Sequence, residues 1–106
     1  MLGDGQYSAR FWFGADECFG LIELSEGRLG GGDTVLSYFG TFAQDGRAFN
    51  ATISTGRHSS GSVPLFGLDL FDAEIVGTSQ GETGFGTATV EQLPGKVFSL
   101  TMTRIV

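Results

Sequence analysis

Hydrophobic and polar positions alternate with a period of two along almost the whole chain. From Gln6 to Phe13, one face carries Tyr7, Ala9, Phe11 and Phe13, and the other Ser8, Arg10 and Trp12, which predicts a half-buried β-strand. Gly14-Ala15-Asp16 reads as a turn, Cys18 to Leu24 as a second strand, and Ser25-Glu26-Gly27 as the next turn. Arg28 to Gly31 reads as a short third strand and Thr34 to Ala43 as a fourth, with Leu36, Tyr38 and Phe42 on a common side. Asp45-Gly46, between two alternating runs, predicts a hairpin with a type I′ turn. Ala48 to Thr55 follows, with Phe49, Ala51 and Ile53 inward and Asn50, Thr52 and Ser54 outward.

Residues 56 to 67 read as the longest irregular segment. Leu68 to Thr78 is a sixth strand, with Phe71, Ala73 and Ile75 opposed by Asp72 and Glu74. Gly84 to Val90 and Val97 to Ile105 complete the set, and Phe98, Leu100 and Met102 share a face of the last. No stretch of ten or more residues has a 3.6 period. Eight strands of roughly 8 residues and seven turns of roughly 4 would use nearly the whole chain. Strands joined by tight turns make a meander. With no helix to cover a face, such a sheet curls, and pairing its last strand with its first removes both edges. The expected fold is therefore all-β, an eight-stranded antiparallel up-and-down barrel in a single domain spanning residues 1–106, with a two-sheet sandwich as the alternative.

The run Gly30-Gly31-Gly32-Asp33 invites comparison with a phosphate-binding loop. Such a loop needs a helix after its glycines and the lysine of the P-loop pattern. Here a strand-like run follows and the lysine is missing, so the glycines fit a sharply bent strand better.

Several residues taken together are similar to the opening of the GrlR family, small bacterial proteins that include a negative regulator of type III secretion. They are Asp4-Gly5-Gln6-Tyr7-Ser8 with Phe11, Gly20-Leu21-Ile22, Gly27-Arg28-Leu29 leading to Gly31-Gly32-Asp33, and Tyr38 followed by Gly40. The likeness covers the N-terminal half. It implies a calycin-like (lipocalin-like) barrel that acts without catalysis, by protein binding and by holding an apolar ligand. In the regulator, the hairpin matching Gln44-Asp45-Gly46-Arg47 carries a run of acidic residues, whereas this chain has a plain tight turn with an arginine.

Composition narrows the chemistry further. Six basic against twelve acidic residues give a formal charge of −6. That balance disfavours nucleic acid and anionic membrane surfaces as partners, and it also simply keeps a small domain soluble. Cys18 is the only cysteine, so no internal disulfide forms. Without a basic-then-apolar leader or an apolar run of about 20 residues, the cytoplasm is the expected location. The sequon at Asn50-Ala51-Thr52 is read as chance on the same ground.

No set of catalytic groups can be assembled. His58 stands beside Ser59 and Ser60, but sequence neighbours in a loop do not form a nucleophile, base and orienting group, and no G-x-S-x-G elbow occurs. Cys18 and His58 are too few ligands for zinc. Asp72 and Glu74 share one strand face about 6.5–7 Å apart, but they oppose apolar neighbours and belong on the solvated side. No enzyme, cofactor or metal is expected.

The inward face is the candidate ligand cavity: Tyr7, Phe11, Phe13, Tyr38, Phe42, Phe49, Ile53, Phe71, Phe85, Phe98 and Met102, with Ile75, Leu100 and the small Ala9, Ala51 and Ala73. A barrel of eight strands is just wide enough to be filled by side chains or to hold one small ligand. Ten phenylalanines favour filling, and the alanines and glycines favour space. Arg10 and Trp12, on the outer face, are candidates for a protein interface or a homodimer contact, because Trp and Arg are enriched at binding hot spots. The bland alternative is a tryptophan half covered by a neighbouring long side chain.

Overall fold

The computed structural model describes residues 1–60 and 70–105. Eight strands follow one another in the chain: β1 (Gly5–Phe13), β2 (Asp16–Ser25), β3 (Arg28–Gly32), β4 (Leu36–Asp45), β5 (Ala48–Arg57), β6 (Asp72–Gln80), β7 (Thr83–Val90) and β8 (Val97–Arg104). Each pairs antiparallel with the next, and β8 pairs with β1 from Tyr7↔Arg104 to Trp12↔Ser99. The sheet is a closed up-and-down barrel, so every strand has two hydrogen-bonded neighbours and no edge is free. Among the described residues no helix is long and apolar enough to cross a membrane.

Four tight turns show how the local sequence drives the meander. Ser25 pairs with Arg28 around Glu26-Gly27, whose φ values of 51° and 79° are both positive, as type I′ requires. The Asp45-Gly46 hairpin forms, but with a different turn. Asp45 is already a strand residue paired with Ala48, so Gly46 (φ 62°) and Arg47 are the central pair. Only the first has positive φ, the pattern of type II′. Gly14 and Gly81 occupy the same first position in the β1–β2 and β6–β7 hairpins.

The third strand forms. The fourth begins at Leu36 rather than Thr34, because the Asp33 carboxylate accepts the N–H groups of Val35 (2.8 Å) and Leu36 (2.7 Å) and folds 33–35 into a turn. Gly56 and Arg57, expected to be irregular, belong to β5, and β6 begins at Asp72. The rest of that irregular segment from 61 on, and residues 68–69 of the expected sixth strand, lie outside the described residues.

The core is the barrel interior. Tyr7, Ile22, Ile75, Phe98 and Leu100 are its most completely buried large side chains, joined by Ile53, Met102, Phe49 and Tyr38. One end is stoppered by the N-terminal residues. Leu2 is buried, its N–H donating to the Gln44 side-chain oxygen (2.9 Å) and its carbonyl accepting from the Gln44 amide (2.7 Å). The Tyr7 hydroxyl donates to the Gly3 carbonyl (2.6 Å). The buried phenol therefore keeps its hydrogen bond.

Candidate functional site

The residues expected to line a cavity divide into three groups. Tyr7, Tyr38, Phe42, Phe49, Ile53, Phe98 and Met102 are buried inside the barrel, as are Ile75, Leu100, Ala9, Ala51 and Ala73. At the stoppered end Phe42 and Phe49 pack 5.5 Å apart, and Leu2, Phe49 and Met102 converge on Gly84. Phe11 and Phe71 are partly buried against this core, Phe11 meeting Tyr38 edge-on at 6.2 Å.

Phe13 and Phe85 depart from the expectation. Phe13 has the inward parity of β1 but ends the strand, so its ring sits at the rim, 40 % exposed, 5.1 Å from Phe98 and 5.5 Å from the Lys96 ammonium. Phe85 faces outward and is 47 % exposed. The inward positions of β7 are Gly84, Gly86, Ala88 and Val90, because Ala88 pairs with both Ile75 and Phe98 and Gly84 pairs with Met102.

A polar knot ties the rim beside Tyr38. The Asp33 carboxylate accepts the Tyr38 hydroxyl (2.6 Å) as well as the two turn N–H groups, and Nε2 of His58 lies 2.8 Å from the Asp33 carbonyl. Tyr38 lies over Gly20 of β2, where a Cβ would come within 2.9 Å of its ring. Burial, then the bond to Asp33, push the Tyr38 phenol well above its ordinary range. Burial and the Asp33 charge push the Cys18 thiol up to about 12, so it stays protonated and weakly nucleophilic at neutral pH. At neutral pH the Tyr38 phenol and the Cys18 thiol are thus both held protonated. Among the described residues no three His, Cys, Asp or Glu side chains gather closely enough to hold a metal ion.

Asp33 gives a pH-dependent prediction. Burial pushes its carboxyl up, but the Leu36 N–H, the Tyr38 hydroxyl, the Val35 N–H and the His58 charge outweigh that and leave it below its ordinary value. A depressed folded-state value stabilises the fold above the unfolded carboxylate range, near about 3.9, and the contribution is lost as pH falls through the folded value. Asp33→Asn is therefore expected to be less stable than wild type at pH 7, and the difference should shrink as pH is lowered from about 5 to about 2. Urea midpoints of the two proteins across that range check it.

The outer face carries the larger anomaly. The Arg10 guanidinium stacks over the Trp12 ring at 4.2 Å and is held by Glu17 at 2.8 Å. Both candidate interface residues are half-buried in this stack. Next to them, Phe19 pairs with Arg10 and Leu21 with Ser8 across the β1–β2 ladder. Phe19 is 63 % exposed, Leu21 54 %, and Phe39 of β4, two strands away, 55 %. Between β2 and β4 runs β3, whose outward positions above Arg28 are Gly30 and Gly32. In the barrel these lie in rows: Leu21–Gly32–Ser37 and Glu23–Gly30–Phe39. An open groove of about 680 Å³ includes Ser8, Arg10, Phe19, Leu21 and Gly32 along its walls.

Reasoning from sequence missed Phe19, Leu21 and Phe39. The period-two signal was available for β2, since Phe19 and Leu21 oppose Cys18, Gly20, Ile22 and Leu24. Their union with Phe39 depends on strand pairing. Compared with known proteins, the chain matches no family model and no curated protein.

Proposed function

We propose that this barrel is a non-enzymatic binding protein that docks another protein on the outer face of β1–β4. One observation carries the reading: three large apolar side chains, Phe19, Leu21 and Phe39, stand exposed beside the Arg10–Trp12 stack and border a strip of bare glycine backbone. Exposed apolar groups clustered beside an aromatic–arginine pair are the composition of a binding hot spot. A Cys18 thiol and a Tyr38 phenol held protonated by burial favour binding over catalysis.

The resemblance to the GrlR family supports the same reading and gives it a biological form: a calycin-like bacterial regulator acting in the cytoplasm by binding a protein. The second reading, a carrier of a small apolar ligand, is favoured by the aromatic rim of Phe11, Phe13 and Phe71. The densely aromatic interior weighs against it.

Affinity capture from the host with wild type and with a Phe19→Ser/Phe39→Ser variant separates the two. The docking reading expects a partner retained by wild type and lost, by at least about tenfold in occupancy, from the variant, as for central apolar contacts worth about 1.4 kcal/mol or more. Equal retention by both proteins, or a lipid-like adduct bound equally by both in native mass spectrometry, counts against it. The variant removes only exposed rings, so its melting temperature should match that of wild type.

A further inference from the structure

We propose that the strip between Leu21 of β2 and Phe39 of β4 seats an amphipathic helix with basic flanks, contributed by the partner protein. This deepens the docking reading and rests on it. The barrel is closed, so a partner cannot add a strand to an edge. It must lay side chains against the outer face.

The width of the strip selects the shape. β2 and β4 are separated by two strand spacings, about 9.5 Å between backbones, so a helix about 10–12 Å across can rest one face on the floor with its flanks over the walls. The outward positions Gly30 and Gly32 put no side chain on the floor between them. Leu21 and Phe39 then stand as walls one row apart, with Phe19 prolonging the β2 wall. The bare floor from Gly30 to Gly32 is about 10 Å long, the rise of about seven helical residues.

The glycines of the strip differ in what the fold demands of them. A Cβ on Gly31 would run into the Leu21 carbonyl, and one on Gly32 into the Leu36 carbonyl. A Cβ on Gly30 would meet nothing within 4 Å, and its φ lies outside the left-handed region. The barrel has no steric need for glycine at position 30. Its bareness leaves the floor free for an occupant.

Charge selects the polarity of that occupant. Glu23 stands on the β2 wall in the same row as Gly30 and Phe39, and Glu26 and Arg28 stand where the strip meets the β2–β3 turn, around a second open groove. Arg10 at the other end is neutralised by Glu17. Acidic groups outnumber basic ones around the strip, as they do in the whole chain at −6, so lysine or arginine on the helix flanks is attracted. The same charge opposes a second copy as the occupant.

The test uses a designed amphipathic peptide of leucine and lysine, about 15 residues long so that a helix can form on binding. It is titrated into the full chain, with backbone amide shifts read by NMR. The expected result is saturable binding with the largest shifts at Phe19, Leu21, Gly30 and Phe39. Gly30→Val, which fills the floor, and Phe39→Ser should each weaken binding at least tenfold while melting no lower than wild type by more than a degree or two. A leucine–glutamate peptide of the same pattern should bind at least tenfold more weakly. Shifts spread evenly over the barrel, or undiminished binding to Gly30→Val, would overturn the inference. So would sedimentation showing that this face forms a homodimer. If the lysine peptide fails while Phe19→Ser/Phe39→Ser still releases the natural partner, the helix is wrong and the docking face stands. If partner retention is also unchanged, both fall.

Discussion

Replacing Gly31 by alanine is expected to destabilise the barrel by about 3 kcal/mol, one of the largest losses available from adding a single methyl group. Two costs add. Gly31 sits at φ 134°, outside the regions open to residues with a Cβ, and holding such a residue there costs on the order of 1–3 kcal/mol. The methyl would also fall inside contact distance of the Leu21 carbonyl and its carbon, backbone atoms that cannot move without opening the β2–β3 ladder at Ile22↔Gly31. Overpacking of that kind adds about 1–3 kcal/mol. For a domain of this size the sum is a fall in melting temperature of roughly 15 °C. Gly30→Ala, one residue away, should stay within about 0.5 kcal/mol of wild type, because its methyl points into open space. Thermal melts of the two variants by circular dichroism check the contrast. Equal losses would mean that the bend is not made at Gly31.

That contrast also separates what was legible in the sequence from what was not. The glycine run could be read as a bent strand rather than a phosphate loop, because no helix follows it. Which glycine makes the bend depends on what lies across the ladder, and the carbonyl of Leu21 is ten residues away in sequence. The strands themselves were legible because side-chain alternation is a local property, and short turns at every connection but β5–β6 made antiparallel neighbours the expected order. The Asp45-Gly46 hairpin was legible as a hairpin but not in its turn type, since register decides whether Asp45 is a turn residue or the last rung of the ladder.

The candidate docking face was the least legible element. Arg10 and Trp12 could be placed outside from β1 alone. Phe19, Leu21 and Phe39 become one surface only when β3 is laid between β2 and β4 and contributes no side chain at Gly30 and Gly32. The knot at Asp33 was hidden for a similar reason. Tyr38 is read locally as an inward aromatic, yet its hydroxyl needs a partner inside the rim, and the turn that begins β4 supplies it. Asp33 thus serves two purposes: it caps the turn N–H groups, and it keeps a buried phenol satisfied.

Phe98 and Phe85 carry the same side chain, and hydrophobicity alone places both inside; their alanine variants should nevertheless differ by about 3–4 kcal/mol. Phe98 is 2 % exposed, on β8 beside Ala88 and with its ring 5.1 Å from Phe13. Its removal leaves a ring-sized void that rigid strands on both sides cannot close, at a cost of about 4 kcal/mol. Phe85 is outside, and its removal should cost less than about 1 kcal/mol. The phase of β7 is set by its neighbours rather than by its largest residue. A side chain at Gly84 would crowd Met102, Leu2 and Phe49 at 3.0–3.3 Å, so the interior there is already filled from other strands. Thr83, Thr87 and Thr89 share the parity of Phe85 and suit the solvated face. A strand whose inward positions are Gly84, Gly86, Ala88 and Val90 is one that yields space to the rings opposite it. Denaturant unfolding of Phe98→Ala and Phe85→Ala measures that division directly. Similar losses in both would place Phe85 back inside the barrel and reverse the phase of β7.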